Sequence, residues 1–77
     1  MRVIEFARRQ KGLIQKELGE HANVRVSQNF ISLIERGEAW PTPDQRKRLA
    51  AVLGVDPSIL TDELDLHTGV VKQEQEA

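Results

Sequence analysis

The chain has 77 residues, 39% apolar and 30% charged, with a formal net charge of −1 and no cysteine. That length holds one small domain with a modest core, and the missing thiols exclude disulfides and thiolate metal sites. No apolar run reaches the roughly 18 residues of a membrane span and no charged-then-apolar leader opens the chain, so a soluble, cytoplasmic protein is expected.

Residues 2–11 read as a first helix, with Val3, Ile4, Phe6 and Ala7 on its apolar side and Gly12 at its end. Leu13 and Ile14 form a short apolar connector. Residues 15–22 read as a second helix, with Leu18 and Ala22 four apart on one face. Gly19 sits mid-helix, where it costs about 1 kcal/mol relative to alanine, so the sequence predicts a closely approaching backbone. Asn23–Val26 alternates polar and apolar but is too short to establish a strand.

Ser27 to Gly37 reads as a third helix between a capping serine and a stopping glycine. At 100° per residue, Ile31 and Ile34 fall on one side with Phe30 at the edge. Gln28, Asn29, Ser32 and Arg36 share the other. Carboxamides and guanidiniums are the groups that hydrogen-bond base edges bidentately in a DNA major groove. An ordinary solvated outer face would have the same polarity. After the loop Glu38–Pro41, where Trp40 is expected to pack over the core edge, Thr42-Pro43-Asp44-Gln45 is a capping box with proline at the first helical position. Leu49, Ala50, Val52 and Leu53 give the fourth helix its stripe, and Gly54 stops it. Asp56-Pro57 predicts a fifth helix carrying Ile59, Leu60 and Leu64 and fading near Asp65. His67-Thr68-Gly69 breaks the chain, Val70-Val71-Lys72 reads as a stub of strand, and Gln73–Ala77 as a polar, frayed tail. The sum is an all-α bundle of five short helices over residues 1–66, with a polar, flexible tail at 67–77.

Charge is unevenly spread. Through residue 48 there are ten basic and six acidic residues, a balance of +4; from 49 onward one basic faces six acidic, a balance of −5. A basic front and an acidic back orient a molecule toward polyanions. His21 and His67 have no neighbours at metal-ligand spacing and read as surface histidines. No paired carboxylates or nucleophile–base arrangement is present, so neither catalysis nor a cofactor is expected.

The pattern Arg8…Gly12-x-x-Gln15-x-x-Leu18-Gly19…Val26-Ser27-x-x-x-Ile31-Ser32-x-x-Glu35-x-Gly37…Pro41…Leu49-Ala50-x-x-Leu53-Gly54-Val55 resembles the lambda-repressor-like helix-turn-helix family, the Cro/repressor or XRE type, over roughly residues 4–60. The resemblance implies a five-helix domain that reads double-stranded DNA as a homodimer. It implies phosphate contact by Gln15 at the start of the second helix, base reading by Gln28, Asn29 and Ser32, and backbone contact by Arg36. It also implies a partly buried ion pair between Arg8 and Glu35. Lys16, Arg25 and Ser27 are further candidates for phosphate. Leu60, Leu64 and Leu66 are candidates for the dimer contact. Three departures stand out: Ile14 replaces the usual capping serine or threonine, Gly19 replaces alanine, and the turn before the third helix is two residues longer, with Val24-Arg25 extra. The expected function is a DNA-binding transcriptional regulator, a repressor on a palindromic operator. The alternative is a protein-interaction or antitoxin-type module whose acidic C-terminal part binds a protein partner.

Overall fold

A computed structural model of the protein describes residues 1–72. Among the described residues there are four α-helices: α1 (Val3–Gln10), α2 (Gln15–His21), α3 (Gln28–Glu35) and α4 (Pro43–Leu53). A single 3-10 turn, Pro57–Ile59, follows. Two short strands, β1 (Glu63–Leu64) and β2 (Val71–Lys72), then pair antiparallel, Glu63 opposite Lys72 and Leu64 opposite Val71. Residues 73–77 of the expected tail lie outside the described residues; 65–70 form the turn between the strands.

The side chains of Ile4, Leu18, Ile31, Ile34, Leu49 and Leu60 are almost wholly withdrawn from water and form the centre of the core. Each contributes about 1.5–3 kcal/mol by leaving water, which is what holds helices this short in place. The caps set where those helices start. Ser27 Oγ accepts from the Phe30 amide at 3.1 Å. At α4 both halves of the box form: Thr42 Oγ1 accepts from the Gln45 amide at 3.1 Å, and Gln45 Oε1 accepts from the Thr42 amide at 2.9 Å. At α2 only the return half exists, Glu17 Oε1 accepting from the Ile14 amide at 3.0 Å, because isoleucine has no side-chain acceptor.

Four expectations are corrected or refined. The fifth helix is one 3-10 turn. In place of a helical ladder, the carbonyls of this segment bond to groups from elsewhere in the chain. Val3 N donates to Asp62 O and Ile4 N to Leu60 O, both at 2.9 Å, satisfying the open end of α1. Arg2 Nη1 takes Thr61 O at 2.6 Å and Arg46 Nη1 takes Pro57 O at 3.3 Å. Second, Leu60 is fully buried in the chain's own core and is not available to a dimer partner, while Leu66 is exposed and Leu64 half-buried. Third, Trp40 does not cover the core edge; it is 55% exposed, between half-buried Ala39 and buried Pro41. Fourth, the backbone does approach Gly19, through the Val26 carbonyl, but it leaves room for a side chain: a Cβ there would meet Val26 O at 3.9 Å, an ordinary contact.

Candidate nucleic-acid interface

α2 and α3 pack directly on each other, joined by the six residues 22–27. Asn23 takes a left-handed conformation, φ +56°, and turns the chain off α2; the amides of Asn23 and Val24 donate to Glu20 O and Gly19 O at 3.1 and 3.2 Å. Val24 and Val26 are both half-buried against the core, and Arg25 between them is exposed. The alternation in this longer turn therefore anchors the extra residues while pushing a guanidinium outward.

Gln15, Ser27, Gln28, Asn29 and Ser32 line one shallow, open depression. A second depression beside it adds Lys16, Gly19 and Glu20 from α2 and Val24 and Val26 from the turn. The start of α2 and the exposed side of α3 thus present a single polar surface. Gln28 and Asn29 are exposed and Ser32 is half-buried. Ser27 Oγ serves as a cap acceptor, which leaves its own proton free to donate outward.

Arg25 and Arg36 lie outside this depression. Arg25 lines a separate polar cleft of about 420 Å³ with Asn23, Val24, Thr42, Asp44, Gln45 and Arg48. Arg36 follows α3, 56% exposed, with Glu38 Oε2 at 3.6 Å from its Nε. The three basic residues 46–48 point different ways. Arg46 turns inward to Pro57 O and Thr61 Oγ1, Arg48 is held by Asp44 Oδ2 at 2.9 Å and Asn23 O at 3.3 Å, and the exposed Lys47 side chain has no partner among the described residues.

Beneath the surface, Glu35 gathers three helices. Its carboxylate accepts from Arg8 Nε at 2.6 Å, Arg8 Nη2 at 3.2 Å and Gln15 Nε2 at 3.0 Å, while Arg8 Nη1 donates to Leu13 O at 2.8 Å. The Glu35 side chain is 4% exposed and that of Arg8 11%. The sequence does not reveal the Gln15–Glu35 bond, because twenty positions separate them. Its consequence is geometric: one Gln15 N–H is held inward, and the other N–H and the carbonyl remain for a ligand. Sequence reasoning also missed Arg2. Its guanidinium lies over Gly37 at the end of α3, where any Cβ would collide with it, and binds Thr61 O. Gly37 also adopts φ +77°, the conformation glycine supplies at a helix end.

Among the described residues, no cluster of His, Asp or Glu is placed to hold a metal ion, and no helix is long and apolar enough to cross a membrane. His21 and His67 are both exposed. The sequence model of the helix-turn-helix family matches residues 4–60. No curated protein and no solved structure matches the chain.

Proposed function

The chain belongs to the XRE-type, lambda-repressor-like helix-turn-helix family of DNA-binding transcription regulators, and on that premise we propose that it is a repressor that binds a palindromic operator as a homodimer, each α3 lying in a major groove. Gln28 and Asn29 read base edges, their carboxamides suited to the paired acceptor and donor of adenine, and Ser32 adds a hydroxyl contact. Gln15, Lys16 and Ser27 grip phosphates on one side of the groove. Arg25 and Arg36 do so further out, adding affinity without sequence information.

The observation that carries this reading is the shared depression of Gln15, Ser27, Gln28, Asn29 and Ser32, with the α2 residue fixed from behind by Glu35. Carboxamides and hydroxyls held together on this water-facing surface match the donors and acceptors that a groove floor offers.

Selection from a random duplex library with the pure protein tests it. The expected product is a two-fold symmetric site with half-sites about one helical turn apart. Affinity should fall with salt at a log–log slope near −0.9 for each phosphate neutralised. Gln28→Ala should flatten the preference at one base pair by about 1–3 kcal/mol and leave the salt slope unchanged. A protein that enriches no sequence and passes over heparin without retention would instead be an interaction module.

A further inference from the structure

The polar cleft of about 420 Å³ lies between the α2–α3 turn and the first two turns of α4. Both residues by which that turn exceeds the family pattern, Val24 and Arg25, line it. Val24 and Val26 are half-buried against the core, which fixes the backbone on either side of Arg25 and leaves its side chain exposed. The Arg25 guanidinium makes no hydrogen bond or ion pair with another described residue.

Arg48 is the second guanidinium of the cleft, and it is held in place. Its Nε donates to Asp44 Oδ2 at 2.9 Å and its Nη1 to Asn23 O at 3.3 Å. Those bonds use two of its five N–H groups and orient its plane. Three hydrogens remain, two on Nη2 and one on Nη1, and the side chain is 44% exposed. Thr42 Oγ1 accepts from the Gln45 amide and keeps its own proton to donate. Asp44 is the one carboxylate lining the cleft, and Arg48 already balances it. One positive charge is left over, in a concave site rich in unused donors. Guanidiniums so placed suit the tetrahedral oxygens of a phosphate.

We propose that this cleft is a second phosphate site, in which Arg25 and Arg48 close on one backbone phosphate of the duplex, separate from those held at the start of α2. The inference rests on the DNA reading above; it gives Arg25 a partner and Arg48 a role. Position favours a duplex as the source of the phosphate. Val24 lines both this cleft and the neighbouring depression that carries Gln15, Lys16, Ser27 and Gln28. A rod lying along that depression continues past the turn, and it offers one charge per about 1.7 Å of its axis. A free phosphate ester has the same charge but fills only the cleft. The two extra residues of the turn thus lengthen the protein's hold on the backbone without touching a base.

Salt titrations of the full chain on duplex DNA, followed by anisotropy, test the inference together with interference by ethylated phosphates. Arg25→Gln and Arg48→Gln alter exposed positions, and circular dichroism checks that both variants stay folded. Either one leaves the cleft without net positive charge. Each should therefore make the log–log slope shallower by about 0.9, so that raising salt from about 50 to 200 mM costs roughly threefold less affinity than in wild type. Base preference should not change. In wild type, ethylation of one particular phosphate should weaken binding, and in both variants ethylation of that same phosphate should cease to matter. A slope unchanged in either variant overturns the inference, and so does the loss of different phosphates in the two. Inorganic phosphate that shifts the Arg25 and Arg48 side-chain resonances while the slopes stay unchanged would assign the cleft to a free anion and also overturn it. A chain that selects a duplex sequence yet gives any of these results loses the cleft alone. A chain that retains no duplex at all loses the DNA reading, and the cleft with it.

Discussion

Removing one partner from the Arg8–Glu35 pair should cost this protein most of its stability. Two guanidinium hydrogens and one carboxamide hydrogen converge on a carboxylate that is 4% exposed. Arg8→Ala leaves that charge with only the Gln15 donor, and Glu35→Ala strands the guanidinium against Leu13 O. Breaking a buried pair in this way costs about 3–5 kcal/mol. A chain of this size has about 4–12 kcal/mol in total. Each single variant should therefore unfold at far lower urea concentration, or fail to fold near body temperature. The double variant Arg8→Met with Glu35→Leu removes both charges and keeps apolar volume, so it should recover at least half of the loss. Urea unfolding followed by circular dichroism, with Trp40 fluorescence as a second probe, gives the four corners of the cycle. A coupling below about 0.5 kcal/mol, or single variants within about 1 kcal/mol of wild type, would show that the network contributes little and that α1 is held by apolar packing alone.

Gly19→Ala should stabilise the protein by about 0.5–1 kcal/mol, because the helix gains propensity and the new methyl meets nothing closer than 3.9 Å; a fall in melting temperature would contradict this. Gly37→Ala should destabilise by at least about 2 kcal/mol, through the left-handed backbone and the displaced Arg2, and denaturant midpoints will show whether it does. Asp56 Oδ1 accepts from the Ser58 amide at 2.8 Å, which holds its carboxyl below the usual 3.8. A carboxyl lowered in the folded state adds stability above its unfolded value and loses it as pH falls through the folded one. The advantage of wild type over Asp56→Ala should therefore shrink as pH drops from 3.8 downward, and parallel acid titrations of the two proteins would reveal a constant gap if the bond were inert.

Local signals were legible in the residues themselves; among the tertiary ones the Arg8–Glu35 pair was legible through the family resemblance. Thr42, Pro43, Gln45 and Gly54 define α4 to within a residue, because caps act on backbone groups a few positions away. Ser27 defines the start of α3 in the same way. Asp56-Pro57 carries an equally good start signal, yet the helix ends after one turn, and carbonyls of Pro57, Leu60, Thr61 and Asp62 bond to Arg46, Ile4, Arg2 and Val3. Those acceptors are claimed from the far end of the chain, and no window of neighbouring residues contains them. The pattern offers Ile59 or Leu60 as the residue that anchors inward, and the packing encloses Leu60. On the candidate interface, helical periodicity alone groups Gln28, Asn29 and Ser32. It cannot show that Gln15 joins them, because that depends on how α2 lies across α3.

The start of α1 is bonded to Leu60 and Asp62, and Leu64 N donates to Met1 O at 2.7 Å, so positions roughly sixty residues apart are stitched together. Closing a loop of that length costs about 3–4 kcal/mol of chain entropy, whereas α2 and α3 meet across six residues. The stitch is accordingly the last part to form and the first to open. In hydrogen exchange the amides of Val3, Ile4 and Leu64 should trade with solvent well before those of α2 and α3, leaving the hairpin of helices as the kinetic heart of the molecule.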